Sequence, residues 1–262
     1  PPELREGLDE INRARKGNLP ELVTREDIRG DLHAHTFGSD GRDSVEEMAQ
    51  AAQDLGYEYI GITDHTPSLK IANGQSIENL HAQVREIDKL NARLSGFRIL
   101  KSAEVDILAN GMLDLPDDVL RELDYTVCSI HSRFAMGRDK QTERVLRAMD
   151  SPYFTILGHA TGRLLLKRPG YELDFERIIR HAKERGRFFE LNSSPDRLDV
   201  SAENARLVRS AGIQIAITTD SHSTGEYQTI RYGIEQARRA GLEAKDVLNC
   251  QPLAAFLKLI AR

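Results

Sequence analysis

Short apolar runs alternate with longer stretches at helical spacing along most of the chain. The runs cover residues 28–32, 57–62, 98–104, 125–130, 154–157, 187–191 and 214–218, and their length predicts strands. Between them, apolar residues recur three and four apart over 44–55, 77–94, 139–149, 174–185 and 202–211, which predicts helices. Ser44 stands three residues before Glu47, a capping-box pattern for the first of these helices. Gly56, Gly186 and Gly212 each end a helical stretch and precede a strand. Such β-α alternation predicts a parallel sheet, either closed as a barrel or doubly wound.

The polar residues at the strand ends decide between these two architectures. The first run leads into His33-Ala34-His35, with Asp40 following in Gly38-Ser39-Asp40-Gly41. The second ends in Thr63-Asp64-His65 and the third in Glu104-Val105-Asp106. The fourth ends at His131, the fifth at His159, the sixth in Glu190-Leu191-Asn192, and the seventh in Asp220-Ser221-His222. Six of the eight histidines fall at these ends; His81 and His181 lie in helical patterns and are read as solvated. A closed α/β barrel gathers the carboxyl ends of all its strands on one face, so the barrel is favoured. His-x-His on extended backbone puts both rings on one side, and Asp220-x-His222 repeats this with a carboxylate. His-x-His alone is a weak signal. Nine ligand-type residues (His33, His35, Asp40, His65, Glu104, His131, His159, Asp220 and His222) ordered along successive strand ends form a strong one. They are too many for one tetrahedral ion and suit two or three divalent ions. Imidazoles admit zinc, iron and manganese, and the carboxylates bias the set towards manganese. Paired ions acidify a water and clamp the oxygens of a displacement, chemistry that serves phosphoester or amide hydrolysis.

Composition narrows the partners. The chain has 262 residues, 40% hydrophobic and 29% charged, with net charge −5. Those values fit an ordinary globular protein and argue against a strong stand-alone DNA binder, without excluding a phosphate substrate. No membrane-length apolar stretch and no signal peptide stand out. The absence of an initiator Met is what a piece cut from a longer protein would show. Cys128 and Cys250 have no metal-binding spacing; Cys128 is read as a buried thiol, and the pair fits a reducing cytoplasm.

The ordered set His33-Ala34-His35, Asp64-His65, Glu104, His131, His159 and Asp220-Ser221-His222 resembles the PHP (polymerase and histidinol phosphatase) family over nearly the whole chain. The resemblance implies a distorted (β/α)7 TIM-like barrel over residues 25–262, behind a linker of residues 1–24. It implies a trinuclear cluster in which His33, His35, Glu104 and Asp220 hold one metal. Glu104 then bridges to a second metal held by His131 and His159, and Asp40, His65 and His222 hold a third. Some family members have histidine at the position of Asp40, so the third site is more oxygen-rich here. The stretches Arg29-Gly30-Asp31-Leu32-His33, Ser129-Ile130-His131-Ser132-Arg133-Phe134 and Gly158-His159-Ala160-Thr161-Gly162-Arg163 are most similar to the C-terminal PHP domain of bacterial family X DNA polymerases. That similarity implies a manganese-dependent 3′–5′ exonuclease and 3′-phosphatase, working on DNA ends beside polymerase domains of the same protein. The alternatives are a phosphatase of a small phosphomonoester such as histidinol phosphate, and a structural domain without catalysis. An amidohydrolase is disfavoured, because Glu104 stands where a carboxylated lysine would bridge.

His33, His35, Glu104, His131 and Asp220 form the catalytic set, joined by Arg133 and Arg163, which follow metal-ligand positions and suit phosphate binding. Lys70, Arg138, Lys140, Lys167 and Arg168 offer a basic rim. Asp64, Asp106 and Asn192 are read as groups that orient the ligands. Gly74 marks a flexible loop over the pocket, and Phe37 and Tyr227 are left open between stacking and packing.

Overall fold

All seven apolar runs become strand backbone in the computed structural model, which describes residues 1–261. The strands are β1 (Gly30–Ala34), β2 (Tyr59–Ile62), β3 (Arg98–Lys101), β4 (Glu104–Asp106), β5 (Val127–Ser129), β6 (Ile156–Leu157), β7 (Phe188–Asn192) and β8 (Ile215–Thr218). The third run breaks at Ser102-Ala103, so it supplies both β3 and β4. The helices are α1 (Glu10–Arg15), α2 (Val45–Asp54), α3 (Ile77–Asn91), α4 (Asp117–Leu120), α5 (Arg138–Met149), α6 (Phe175–Arg185), α7 (Ala202–Ser210), α8 (Ile230–Arg239) and α9 (Leu253–Leu259). The capping box forms as its pattern predicts: Ser44 Oγ accepts from Glu47 N–H while the Glu47 carboxylate accepts from Ser44 N–H.

Every strand pairing is parallel, in the orders β1-β2-β3 and β4-β5-β6-β7-β8. The two sheets meet along both edges. On one side His65 bridges Glu104, whose N–H donates to Thr63 O at 3.0 Å. On the other, Ala34 bridges Ser221, and His35 N–H donates to Ser221 O at 2.8 Å. The buried side chain of Asn249 extends this second seam towards the bottom of the barrel. Its Oδ1 accepts from Ile217 N–H, and its Nδ2 donates to Gly30 O and Ile217 O. With β3 and β4 as halves of one broken strand, the ring has seven positions: a distorted α/β barrel.

Two apolar layers follow from strand alternation. Leu32, Tyr59, Leu100, Val127, Ile156, Phe188 and Ala216, from strands all round the ring, form one cluster and therefore fill the interior. Phe256 of α9 joins this cluster, with its ring stacked on Tyr59 at 5.4 Å. Tyr125 donates to Leu32 O at 2.7 Å inside, and Gly61 is small because a Cβ there would collide with the Tyr125 hydroxyl. The opposite strand faces, with Ile60, Ile99, Val105, Phe189 and Ile217, pack under the helices.

Helices α1, α4, α8 and α9 lie outside the sequence expectations. Gly233 interrupts the apolar positions of α8; a Cβ there would strike Ser193, so the glycine serves close packing rather than ending the helix. Among the described residues, no helix is long and apolar enough to cross a membrane.

Since Asn249 meets three backbone groups in the seam, Asn249→Leu should cost about 2–4 kcal/mol. Chemical denaturation would read this loss, and a change below about 1 kcal/mol would show that the seam holds without the side chain.

Candidate metal centre

Where β1 reaches the carboxyl face, its register slips. Leu32 belongs to the barrel interior and Ala34 to the outer layer, although residues two apart in a regular strand share a side. The pairing with β2 shifts between Asp31 and Ala34. This irregularity turns His33 and His35 together into the pocket above the apolar fill.

Glu104, buried at the start of β4, lies at the centre. Its Oε2 lies 3.0 Å from His65 Nδ1, 3.3 Å from His33 Nε2 and 3.6 Å from His35 Nε2. Its Oε1 lies 2.7 Å from His159 Nε2 and 3.4 Å from His131 Nε2. Asp220 Oδ1 is 3.1 Å from His35 Nε2 and 3.5 Å from His33 Nε2. Further out, Asp40 Oδ1 approaches His222 Nε2 at 3.3 Å and His65 Nε2 at 3.6 Å. All nine residues expected from the sequence therefore converge. Three sets present ligand atoms within 4.8 Å of one another: His33, His35, Glu104 and Asp220; His35, Asp40, His65 and His222; and His65, Glu104 and His131. His35, His65 and Glu104 each belong to two sets, and His159 joins the cluster only through Glu104, so the division differs from the one that the resemblance implies.

The donor set fits cations. His33 Nε2, His35 Nδ1, His65 Nδ1, His159 Nδ1 and Glu104 Oε2 are buried without a hydrogen-bond partner, although several face one another at about 3 Å. Buried polar atoms are seldom left unmet. A positive ion among lone pairs from imidazoles and carboxylates would meet the need. Asp220 and His159 also hold backbone φ of 56° and 21°, a region uncommon for side-chain-bearing residues and frequent at functional sites.

Charge is balanced locally. Burial works against ionised Glu104, but His33, His131 and His65 outweigh it and hold its pKa well below the carboxylate range. Burial likewise opposes the charged His33 ring, yet Glu190, Asp220 and Glu104 raise its pKa well above 6.5. His35 goes the other way, to about 4, through burial and its neighbours His65 and His222.

A second ring of groups fixes the first. Asp106 accepts from His131 Nδ1 at 2.7 Å, and Asn192 donates to Asp220 Oδ2 at 3.0 Å. Asp64 instead ties down the loop between His35 and Asp40, accepting from Thr36 N–H, Ser39 Oγ and Gln83 Nε2. Glu190, named at the sixth strand end but given no role there, is the most connected of these groups. It contacts His33 Nδ1 and accepts from His159 N–H, Thr218 Oγ1 and Asn192 Nδ2. Its one sequence cue was a lone acid two residues before Asn192 in an otherwise apolar strand.

The arginines depart from expectation. Arg163 does not face the cluster; its guanidinium donates to the carbonyls of Arg197 and Leu198 and holds that loop. Arg197 stands in the place expected for it, with Nε 3.3 Å from Asp220 Oδ2. Loop folding brings it there from outside any motif, which is why the sequence did not reveal it. Arg133 is exposed, with φ of 59° and no ion pair among the described residues. Of the basic rim, Arg138 pairs with Asp174, Lys167 pairs with Asp196, and Arg168 stacks over Phe134 at 4.0 Å, leaving Lys70 and Lys140 exposed. Tyr227 is a core residue bonded to Met48 O, whereas Phe37 is exposed. Gly74 belongs to a hydrogen-bonded turn, not a loose loop: a Cβ there would strike Thr66 O, and its N–H donates to Leu69 O. His81 and His181 pair with Glu122 and Asp150 at the surface. Cys128 is buried, with its Sγ 3.4 Å from Thr126 Oγ1, and Cys250 is half-buried.

Glu190→Gln should weaken divalent-metal affinity about 10–100-fold in calorimetric titration, because the His33 ring loses its charged anchor. The cluster also sets a pH dependence. Burial opposes the charged forms of His131 and His222, but Glu104 and Asp106 beside the first, and Asp40 and Asp220 beside the second, raise both pKa values to about 9. In metal-free protein their stabilising contribution is full below about pH 6.5 and is lost as pH rises through about 9. Metal ions require neutral rings, so affinity should rise over the same interval with proton release, measurable in buffers of different ionisation enthalpy. A pH-independent affinity would contradict this.

Comparison with known proteins agrees with this geometry. Residues 31–194 match the PHP domain family. The chain is 41% identical over 261 residues, 98% of its length, to the DNA polymerase/3′-5′ exonuclease PolX of Bacillus subtilis, and it spans 45% of that protein. It is 34% identical over 205 residues to a probable phosphatase of Acetivibrio thermocellus, covering 75% of this chain and 80% of that one. In structure it resembles the histidinol phosphate phosphatase of Lactococcus lactis, solved with zinc, L-histidinol and phosphate, with a TM-score of 0.55 and 16% identity over 80% of this chain and 93% of that one. The chain belongs to the PHP family and is a metal-dependent phosphoesterase.

Proposed function

We propose that the chain acts on DNA 3′ ends as a manganese-dependent 3′–5′ exonuclease and 3′-phosphatase, the phosphoesterase part of a family X DNA polymerase. The observation that carries this reading is the convergence of eight ligand-type residues around Glu104, in a chain aligned along its length with a protein named as a 3′–5′ exonuclease. In this reading His33, His35, Glu104 and Asp220 hold one ion. Glu104, His131 and His159 hold a second, and Asp40, His65 and His222 hold a third. Three carboxylates among six imidazoles favour manganese over zinc. The setting we infer is the cytoplasm, beside polymerase domains of the same protein.

Bound divalent ions would supply an acidified water and positive charge for the phosphoryl oxygens. The chain's own residues do the positioning. Glu190, Asp106 and Asn192 fix His33, His131 and Asp220, so the donors are arranged before substrate arrives. Arg197 brings a permanent charge to the inner edge of the cluster, where Asp220, Glu104 and Glu190 offset its burial. Arg133, exposed and unpaired, is available to a phosphate of the incoming strand.

A second reading, hydrolysis of a small phosphomonoester, is favoured by the 34% identity to a probable phosphatase of similar extent. A side-by-side assay separates the two. With manganese and 3′-ended single-stranded DNA, the expected result is end shortening and release of a 3′-terminal phosphate. Asp220→Asn should lower both by about 100-fold or more. Fast turnover of histidinol phosphate with intact DNA ends would replace the first reading with the second.

A further inference from the structure

Between the loop that follows His35 and one face of α3 lies a cavity of about 360 Å3 that the chemistry described so far does not use. That volume falls within the ~300–1,000 Å3 of small-ligand pockets. Its wall on α3 is a stripe of Asn79, Gln83 and Glu86, spaced at helical repeats on one face. Its lip is Phe37, 66% exposed, two residues after His35. Its floor includes Gly38 and Gln75.

Gln75 is the telling residue. It is 4% exposed, yet both Nε2 and Oε1 lack a hydrogen-bond partner. A buried primary amide with neither its donor nor its acceptor met is rare in a folded interior. Its backbone N–H donates to the carbonyl of His65, so the amide is held in register with a residue of the metal centre. Gly38 makes room for it, since a Cβ there would collide with Gln75 Nε2. Gln83, also lining the cavity, is spoken for by Asp64 and Thr36, and Asn79 on the wall is open to solvent, which leaves Gln75 as the buried amide whose donor and acceptor are both unmet.

We propose that this cavity is a subsite for the nucleobase of the strand-terminal residue, with Phe37 stacking on the ring and the Gln75 amide bonding its polar edge. A nucleobase combines an aromatic face with adjacent donors and acceptors, which matches an exposed phenyl ring beside an unmet amide. Two further apolar tips, Ile71 and Leu166, stand almost wholly exposed on loops after β2 and β6 of the same barrel face. Exposed apolar side chains around a site mark a surface that meets another molecule. The inference rests on the DNA-end reading, and it adds that the base, not only the phosphate, is recognised.

The test is calorimetric binding to the manganese-loaded chain of a deoxynucleoside 5′-monophosphate, the product of 3′–5′ digestion, against deoxyribose 5-phosphate, which lacks the base. The nucleotide should bind about tenfold tighter or better, the effect of one base stacked on an aromatic ring. Phe37→Ala, at an exposed position that does not endanger folding, should bring the two ligands within about twofold, and Gln75→Leu should do the same. Equal binding of both ligands to the unaltered chain would overturn the subsite, as would a preference that survives both substitutions. The two readings fail separately. DNA-end hydrolysis with no base preference sinks the subsite alone, whereas a base preference without DNA hydrolysis keeps the subsite and sinks the exonuclease.

Discussion

A carboxylate kept ionised inside the protein, within 3.6 Å of five imidazoles, is the constraint on which the rest of the structure depends. Removing charge from water is expensive unless opposite charge or hydrogen bonds replace it. Around Glu104 the replacement comes from rings, and those rings need partners of their own. Glu190 and Asp106 supply them for His33 and His131, and further out the backbone carbonyl of Asp220 does the same for His222. The centre is therefore one coupled network, in which each buried polar group is tolerable because the next one is present.

The barrel makes that network affordable by separating two environments along one axis. Apolar side chains and the α9 plug fill the lower interior, and polar residues occupy the carboxyl face. The change from one to the other occurs within β1, between Leu32 and His33. A regular strand would have aimed one of two neighbouring residues outward; the register shift keeps both inside. The seam through Asn249 stabilises the same strand at its other end, so closure and chemistry share β1.

Around the mouth, the basic residues divide by what they already hold. Arg163, Arg138, Lys167 and Arg168 are engaged with the protein, while Arg133 is free for a substrate and Arg197 faces the cluster itself. A net charge of −5 is compatible with a phosphate substrate on these terms, because the attracting charge is local. The unmet Gln75 amide and the exposed Phe37 give the same face a second, uncharged means of recognition.

The meeting of nine ligand-type residues on one face and the alternating architecture were legible from the chain alone, because strand length and residue type are written locally, and because a barrel must gather its strand ends. The capping box of α2 was legible for the same local reason. Glu190, Arg197 and the turn at Gly74 were not. Glu190 looked like a single acid in an apolar strand until three groups from other strands and loops, and Asn192 of its own strand, closed on it. Arg197 takes the place expected of Arg163, whose guanidinium is taken up by two carbonyls of the loop after β7. The sequence by itself determined which residues could bind metal and on which face they would meet. Only the tertiary structure decided which charges are already satisfied, since that depends on partners far apart in the chain.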